Sequence, residues 1–101
     1  MMGGGRVVRD LVAEALEELR VLVGPTLVGA QSLIVDADIR DGDDCMAADD
    51  LLQFALLNDE PLPDPLLRRI EEAVGWGWDD ELRERTLGWV KKHRRLALAT
   101  A

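Results

Sequence analysis

Apolar residues recur at three- and four-residue steps from Arg6 to Val23. Val8, Leu11, Val12, Ala15, Leu16, Leu19 and Leu22 share one side of the wheel, with Glu14, Glu17 and Glu18 elsewhere on it. That period predicts an amphipathic helix. Gly24-Pro25 ends it, since glycine takes the left-handed cap and proline cannot continue the ladder. A second helix is expected from Thr26, an N-cap residue type, to about Ala37. Its apolar run (Leu27, Val28, Leu33, Ile34, Val35) holds β-branched residues, which leaves a buried strand as the alternative. Asp38 to Asp43 contains Gly42 and reads as a loop. Asp43 or Asp44 then caps a third helix running through Met46, Ala47, Leu51, Leu52, Phe54, Ala55 and Leu56 to about Asn58. Only Asp49, Asp50 and Gln53 interrupt its apolar surface, so it should be the central and most buried element.

Pro61, Pro63 and Pro65 make the next segment extended, because the residue before each proline avoids the helical region. Asp64-Pro65 reads as an N-cap followed by proline at the first helical position, opening a short fourth helix. Its inward residues are Leu66, Leu67, Ile70 and Val74, and it should end at Gly75. Trp76-Gly77-Trp78 then reads as a turn carrying two large rings, with Asp79 or Asp80 capping a last helix. Leu82, Thr86, Trp89, Val90, His93, Leu96 and Ala97 form that helix's inner stripe. The expected fold is all-α, a compact bundle of about five helices with antiparallel neighbours. Residues 1–5 are expected as a flexible lead-in, and 6–101 as one helical domain.

Charge changes this picture most. Between Asp36 and Asp64 stand ten acidic residues (Asp36, Asp38, Asp41, Asp43, Asp44, Asp49, Asp50, Asp59, Glu60, Asp64) and one base, Arg40. The stretch thus holds a net −9, against −8 for the whole chain. So dense a field repels itself unless something answers it, which suits a surface that meets a basic partner. From Leu82 to Ala101 six bases (Arg83, Arg85, Lys91, Lys92, Arg94, Arg95) face one acid, Glu84. Either the two poles attract within the fold or across a dimer, or the acidic end is left to meet a partner.

Candidate chemistry adds little. The single cysteine, Cys45, cannot form an internal disulfide, and Met1–Gly5 is neither basic nor followed by an apolar signal core, which together suggest a cytoplasmic protein. No apolar run approaches the roughly 20 residues that span a bilayer, so no membrane partner is expected. Asp36-x-Asp38-x-Arg40-Asp41-Gly42 imitates a calcium loop but fails its register. Counted from Asp36, position 5 is Arg40 and position 12 is Ala47. The lone His93 lies on an apolar stripe and reads as a packed residue, and Ser32 is mid-helix. Neither an enzyme, a cofactor nor a metal is expected. Lys91-Lys92-His93-Arg94-Arg95 contains no aromatic, and an acidic chain repels polyanions, so nucleic acid is not expected either. Trp76 and Trp78 serve as interface anchors if exposed, or pin the last helix if buried.

Over residues 32–72 the chain resembles small bacterial immunity proteins, especially the MafI type. The resemblance rests on Gly42, Asp43, Ala47, a leucine-rich helix with Leu51, and then Asp59, Pro61 and Leu62. Asp43 stands where that family usually has glutamate, and Asp44 where it often has an aromatic. The resemblance implies a protein that binds and neutralises a cognate toxin domain. Toxin domains that cut nucleic acid present basic clefts, which a concentrated acidic face can cover, with electrostatic steering speeding capture. The residues expected to meet the partner are Asp36, Asp38, Asp41, Asp43, Asp44, Asp59 and Glu60, with Trp76 as an anchor. An acidic helical adaptor for another basic protein is the alternative.

Overall fold

A computed structural model describes residues 8–100, with side chains from 11 to 99. The expected lead-in at 1–5 and helix start at Arg6 lie outside the described residues. Five helices make up the fold: α1 (Val8–Val23), α2 (Gly29–Arg40), α3 (Asp44–Leu57), α4 (Asp64–Gly77) and α5 (Asp80–Thr100). No strand occurs among the described residues. The all-α bundle follows from the three- and four-residue apolar spacing, which gives each helix one side to bury.

α3 is the axis, as its near-continuous apolar surface requires. Eight of its residues are buried, including Leu51, Leu52, Phe54 and the charged pair Asp49 and Asp50. Around it pack Val12, Ala15, Leu16 and Leu19 of α1 and Leu82 and Val90 of α5, while Leu66, Leu67, Ile70 and Val74 of α4 close the same core mainly against α1 and α5. Each fully enclosed leucine contributes about 1.5–3 kcal/mol of transfer free energy. Val35 is the one buried residue of α2, while Leu33 and Ile34 face outward.

The packed pairs that are also sequence neighbours run antiparallel. Gln31 and Asp38 of α2 meet Asn58 and Asp50 of α3, and Arg94 of α5 reaches back to Asp64 and Glu71 of α4. Against α5, however, α3 runs parallel, because Asp49 meets Thr86 and Leu52 meets His93. α1 rises alongside α3 in the same sense, with Val12 beside Cys45 and its last turn beside Leu51. The first turns of α3 and α5 therefore lie at one end of the bundle.

Several boundaries depart from expectation. Thr26 does not cap α2: it closes a 3-10 turn over Gly24–Thr26, its hydroxyl donating to Val23 O at 2.7 Å. α2 starts only at Gly29, where the side-chain oxygen of Gln31 accepts from Val28 N–H, and it runs on to Arg40 rather than stopping at Ala37. Pro63 holds the N-cap position of α4, and Asp64 is its first helical residue. α4 does not stop at Gly75 either. Trp76 and Gly77 continue the helix, so only Trp78 and Asp79 link it to α5.

Candidate functional site

Four helix ends meet at one pole of the bundle. Gly42, between α2 and α3, takes a left-handed backbone (φ +76) that glycine adopts without steric cost. That turn delivers Asp43 as the N-cap of α3, its carboxylate accepting from Met46 N–H at 3.2 Å. Asp79 opens α5 in the same way, accepting from Glu81 N–H at 3.0 Å. Gly42, Asp43, Asp44, Cys45, Gly77 and Asp79 line one shallow hollow, with Val12 beside them.

The parallel course of α3 and α5 makes this crowd of carboxylates tolerable. Each helix N-terminus carries a partial positive charge, and Asp43, Asp44, Asp79, Asp80 and Glu81 all sit at or in such first turns. Arg83 adds a pair to Asp80 at 3.0 Å. The helix dipoles hold the acids in place without covering their outward oxygens. Cys45 lies among them, and burial, with Asp43, Asp44 and Asp79 adding negative charge, pushes its thiol up, so it stays protonated and a poor nucleophile.

The acids expected to meet a partner divide into three outward groups and one enclosed residue. Asp41, Asp43 and Asp44 belong to this pole, Asp41 and Asp43 exposed and Asp44 half-buried. Asp59 and Glu60 lie beyond the opposite end of α3, about 20 Å along a helix of that length. They border a hollow of about 300 Å³ with Pro61, Leu62, His93 and Leu96. Asp36 is exposed on α2 beside Glu17 and Arg20 of α1. Asp38 is not an outward carboxylate, since its Oδ2 is enclosed and it faces Asp50 across the α2–α3 contact.

Of Trp76 and Trp78, the first is 70% exposed beside Gly77 at the acidic pole and the second is 3% exposed. Trp78 donates its indole N–H to Thr86 at 3.0 Å, pinning the start of α5 to the core. Asp79 and Asp80 are the members of the pole that the sequence reading treated only as caps. Their contribution depends on α3 and α5 running in the same direction, which no local pattern announces.

The basic helix is partly answered within the fold. Arg85 pairs with Asp49, Arg83 with Asp80, and Arg94 with Glu71 and Asp64. Lys92 sits over the Trp89 ring at 4.9 Å, and Lys91 and Arg95 form no ion pair among the described residues. His93 is buried, its Nε2–H donating to Leu52 O at 2.9 Å, and burial lowers its pKa. Among the described residues no three His, Cys, Asp or Glu side chains are placed to hold a metal ion, and no helix is long and apolar enough to cross a membrane. Comparison of the chain with protein-family models, with characterised proteins and with solved structures finds no match.

Proposed function

We propose that this protein binds a partner with a basic surface through its acidic pole, and that the partner is a toxin domain it neutralises. The observation that carries the reading is Trp76. A large ring 70% exposed at the end of α4 stands one residue from a hollow bordered by Asp43, Asp44 and Asp79. An aromatic anchor ringed by carboxylates suits a basic cleft: the ring supplies buried contact, and the acids supply steering and register. The resemblance of residues 32–72 to MafI-type immunity proteins supplies the class of partner, with Gly42 and Asp43 forming the turn and cap that build this pole.

The direct test is survival of cells that express a toxin domain encoded beside this chain's own gene, with and without this chain. Protection should be lost in Trp76→Ala combined with Asp43→Asn and Asp44→Asn, and retained in Asp36→Asn. A chain that protects nothing, or a triple variant that protects fully, would refute the assignment. With the isolated pair, the association rate should fall by about an order of magnitude or more between low and high salt, as for steered encounters.

A further inference from the structure

α2 has a thin hold on the bundle. Its principal contact is α3, to which it offers one buried apolar residue, Val35, and half-buried Ile39. The same inner side carries Asp38, whose Oδ2 is enclosed and meets no hydrogen-bond donor of fixed geometry. An enclosed carboxylate oxygen left so is costly. The group opposite is Asp50 of α3, which is 8% exposed and in side-chain hydrogen-bond contact with Asp38. Two carboxyl groups can share such a contact only if one carries a proton and donates it to the other. We propose that a proton shared between Asp38 and Asp50 latches α2 onto α3, and that its loss releases the C-terminal half of α2 together with the loop to Asp43.

The surroundings of Asp50 place the latch in a useful range. Asp38 faces it from α2 and Asp49 precedes it in α3. From α5, Arg85 Nη2 stands 3.6 Å from Asp50 Oδ1 but only 2.6 Å from Asp49 Oδ2, so its charge is largely spent on Asp49. α1 turns apolar Val12, Ala15, Leu16 and Leu19 toward the core. Burial first, then the hydrogen bond and negative charge of Asp38 and the charge of Asp49, push the Asp50 carboxyl up to about 7 against the pull of Arg85. The folded value lies above the ordinary carboxyl value, so the latch is closed below neutrality. Once released, the carboxyl returns to its ordinary value of about 4, so opening becomes about tenfold more favourable with each pH unit from there up to about 7 and levels off above it. This device stands whatever partner the acidic pole meets.

Amide hydrogen exchange on the full chain between pH 4.5 and 8.5, corrected for intrinsic rates, tests it. Protection of the amides from Val35 to Ile39 should fall about tenfold per unit from pH 4.5 to about 7 and level off above it, while Leu67 to Ile70 in α4 stay unchanged. Asp50→Asn supplies Asp38 with an amide N–H that no base removes, and should keep α2 protected at pH 8.5 to within twofold of its pH 4.5 value. Asp38→Asn should do the same from the other side. In the wild type, the Asp50 carboxyl carbon shift should titrate near neutrality. Flat α2 protection across the range, or Asp50→Asn tracking the wild type, overturns the latch. If either variant fails to fold, the wild-type exchange profile and carboxyl titration still decide.

Discussion

Arg85 lays its guanidinium along the carboxylate of Asp49, with Nε 2.7 Å and Nη2 2.6 Å from Oδ2, while Asp49 itself has no exposed surface. Thr86 completes the arrangement by donating to Asp49 Oδ1 at 2.7 Å and accepting the Trp78 indole N–H at 3.0 Å. Three elements are thereby tied at one charge: the middle of α3, the α4–α5 link and the first turns of α5. Three donors on one buried carboxylate leave both of its oxygens satisfied.

Removing one partner of that pair should therefore cost much more than a surface substitution. Arg85→Met leaves a buried charge held by Thr86 alone and should destabilise the fold by about 3–5 kcal/mol. Thr86→Val orphans the Trp78 N–H and one Asp49 oxygen and should cost about 1–3 kcal/mol. Urea unfolding at pH 7 measures both, and a loss below about 0.5 kcal/mol for Arg85→Met, typical of a surface change, would mean the pair is dispensable.

Trp76 should report the field of the acidic pole. Cationic caesium should quench its fluorescence well at low salt and lose that advantage as sodium chloride is added, because an exposed potential is screened within about 10 Å at 0.1 M salt. Trp76→Phe should abolish the salt-sensitive component and shift stability by no more than about 0.5 kcal/mol. Salt-independent quenching would show that the carboxylates exert no field at the ring.

Asp59 carries a positive φ of 56°, the one non-glycine residue among those described to do so. It closes α3, with Glu60 N–H donating to Ala55 O at 2.8 Å and Asp59 N–H to Leu56 O at 3.3 Å, a wrap that favours glycine. Asp59→Gly should stabilise the protein by about 0.5–1 kcal/mol in thermal or urea unfolding, since aspartate tolerates this region less well than glycine. A destabilised variant would mean that the carboxylate itself holds the turn.

His93 and Asp50 should give the stability curve slopes of opposite sign. Burial lowers the folded pKa of His93 below its ordinary value, so its contribution is present above about pH 6.5 and is lost as acid charges the ring. Asp50 is held above the ordinary carboxyl value, so its contribution falls as pH rises from about 4 towards 7. His93→Gln keeps a donor for Leu52 O without a titrating proton. Unfolding measured from pH 4.5 to 8 should show that this variant loses the acid-side decline due to His93 and keeps the Asp50 slope.

Cys45 should alkylate slowly. With its thiol pushed up by burial and by Asp43, Asp44 and Asp79, iodoacetamide at pH 7.5 should modify it at about one-tenth of the rate of a free cysteine or less. Denaturant should restore the ordinary rate. A fast native reaction would place the thiol outside the acidic hollow.

The sequence by itself determined the helices and most of the core. Three- and four-residue apolar spacing marks Leu16, Leu19, Leu66, Ile70 and Val90 as inward, and all five are buried, because helical period is a local property of the chain. It also marked α3 as the axis and offered Asp43 or Asp44 and Asp79 or Asp80 as caps, of which Asp43 and Asp79 accept the capping bonds. Its errors fell at boundaries, where Thr26 and Gly75 carry capping chemistry that the local backbone does not use, and at the end of α5, where Leu96 and Ala97 of the expected inner stripe are exposed because no element packs over them closely enough to bury them.

Only the tertiary structure decided which charges stand together. Ten acids close in sequence separate in space, because a helix rotates successive side chains by about 100° and carries its two ends tens of ångströms apart. Asp49 is answered by Arg85, Asp38 is turned onto Asp50, and Asp59 is carried to the far end. Asp79 arrives beside Asp43 from 36 residues away. The relative direction of α3 and α5 places it there, and long-range packing of apolar faces fixes that direction, not any pattern within either helix.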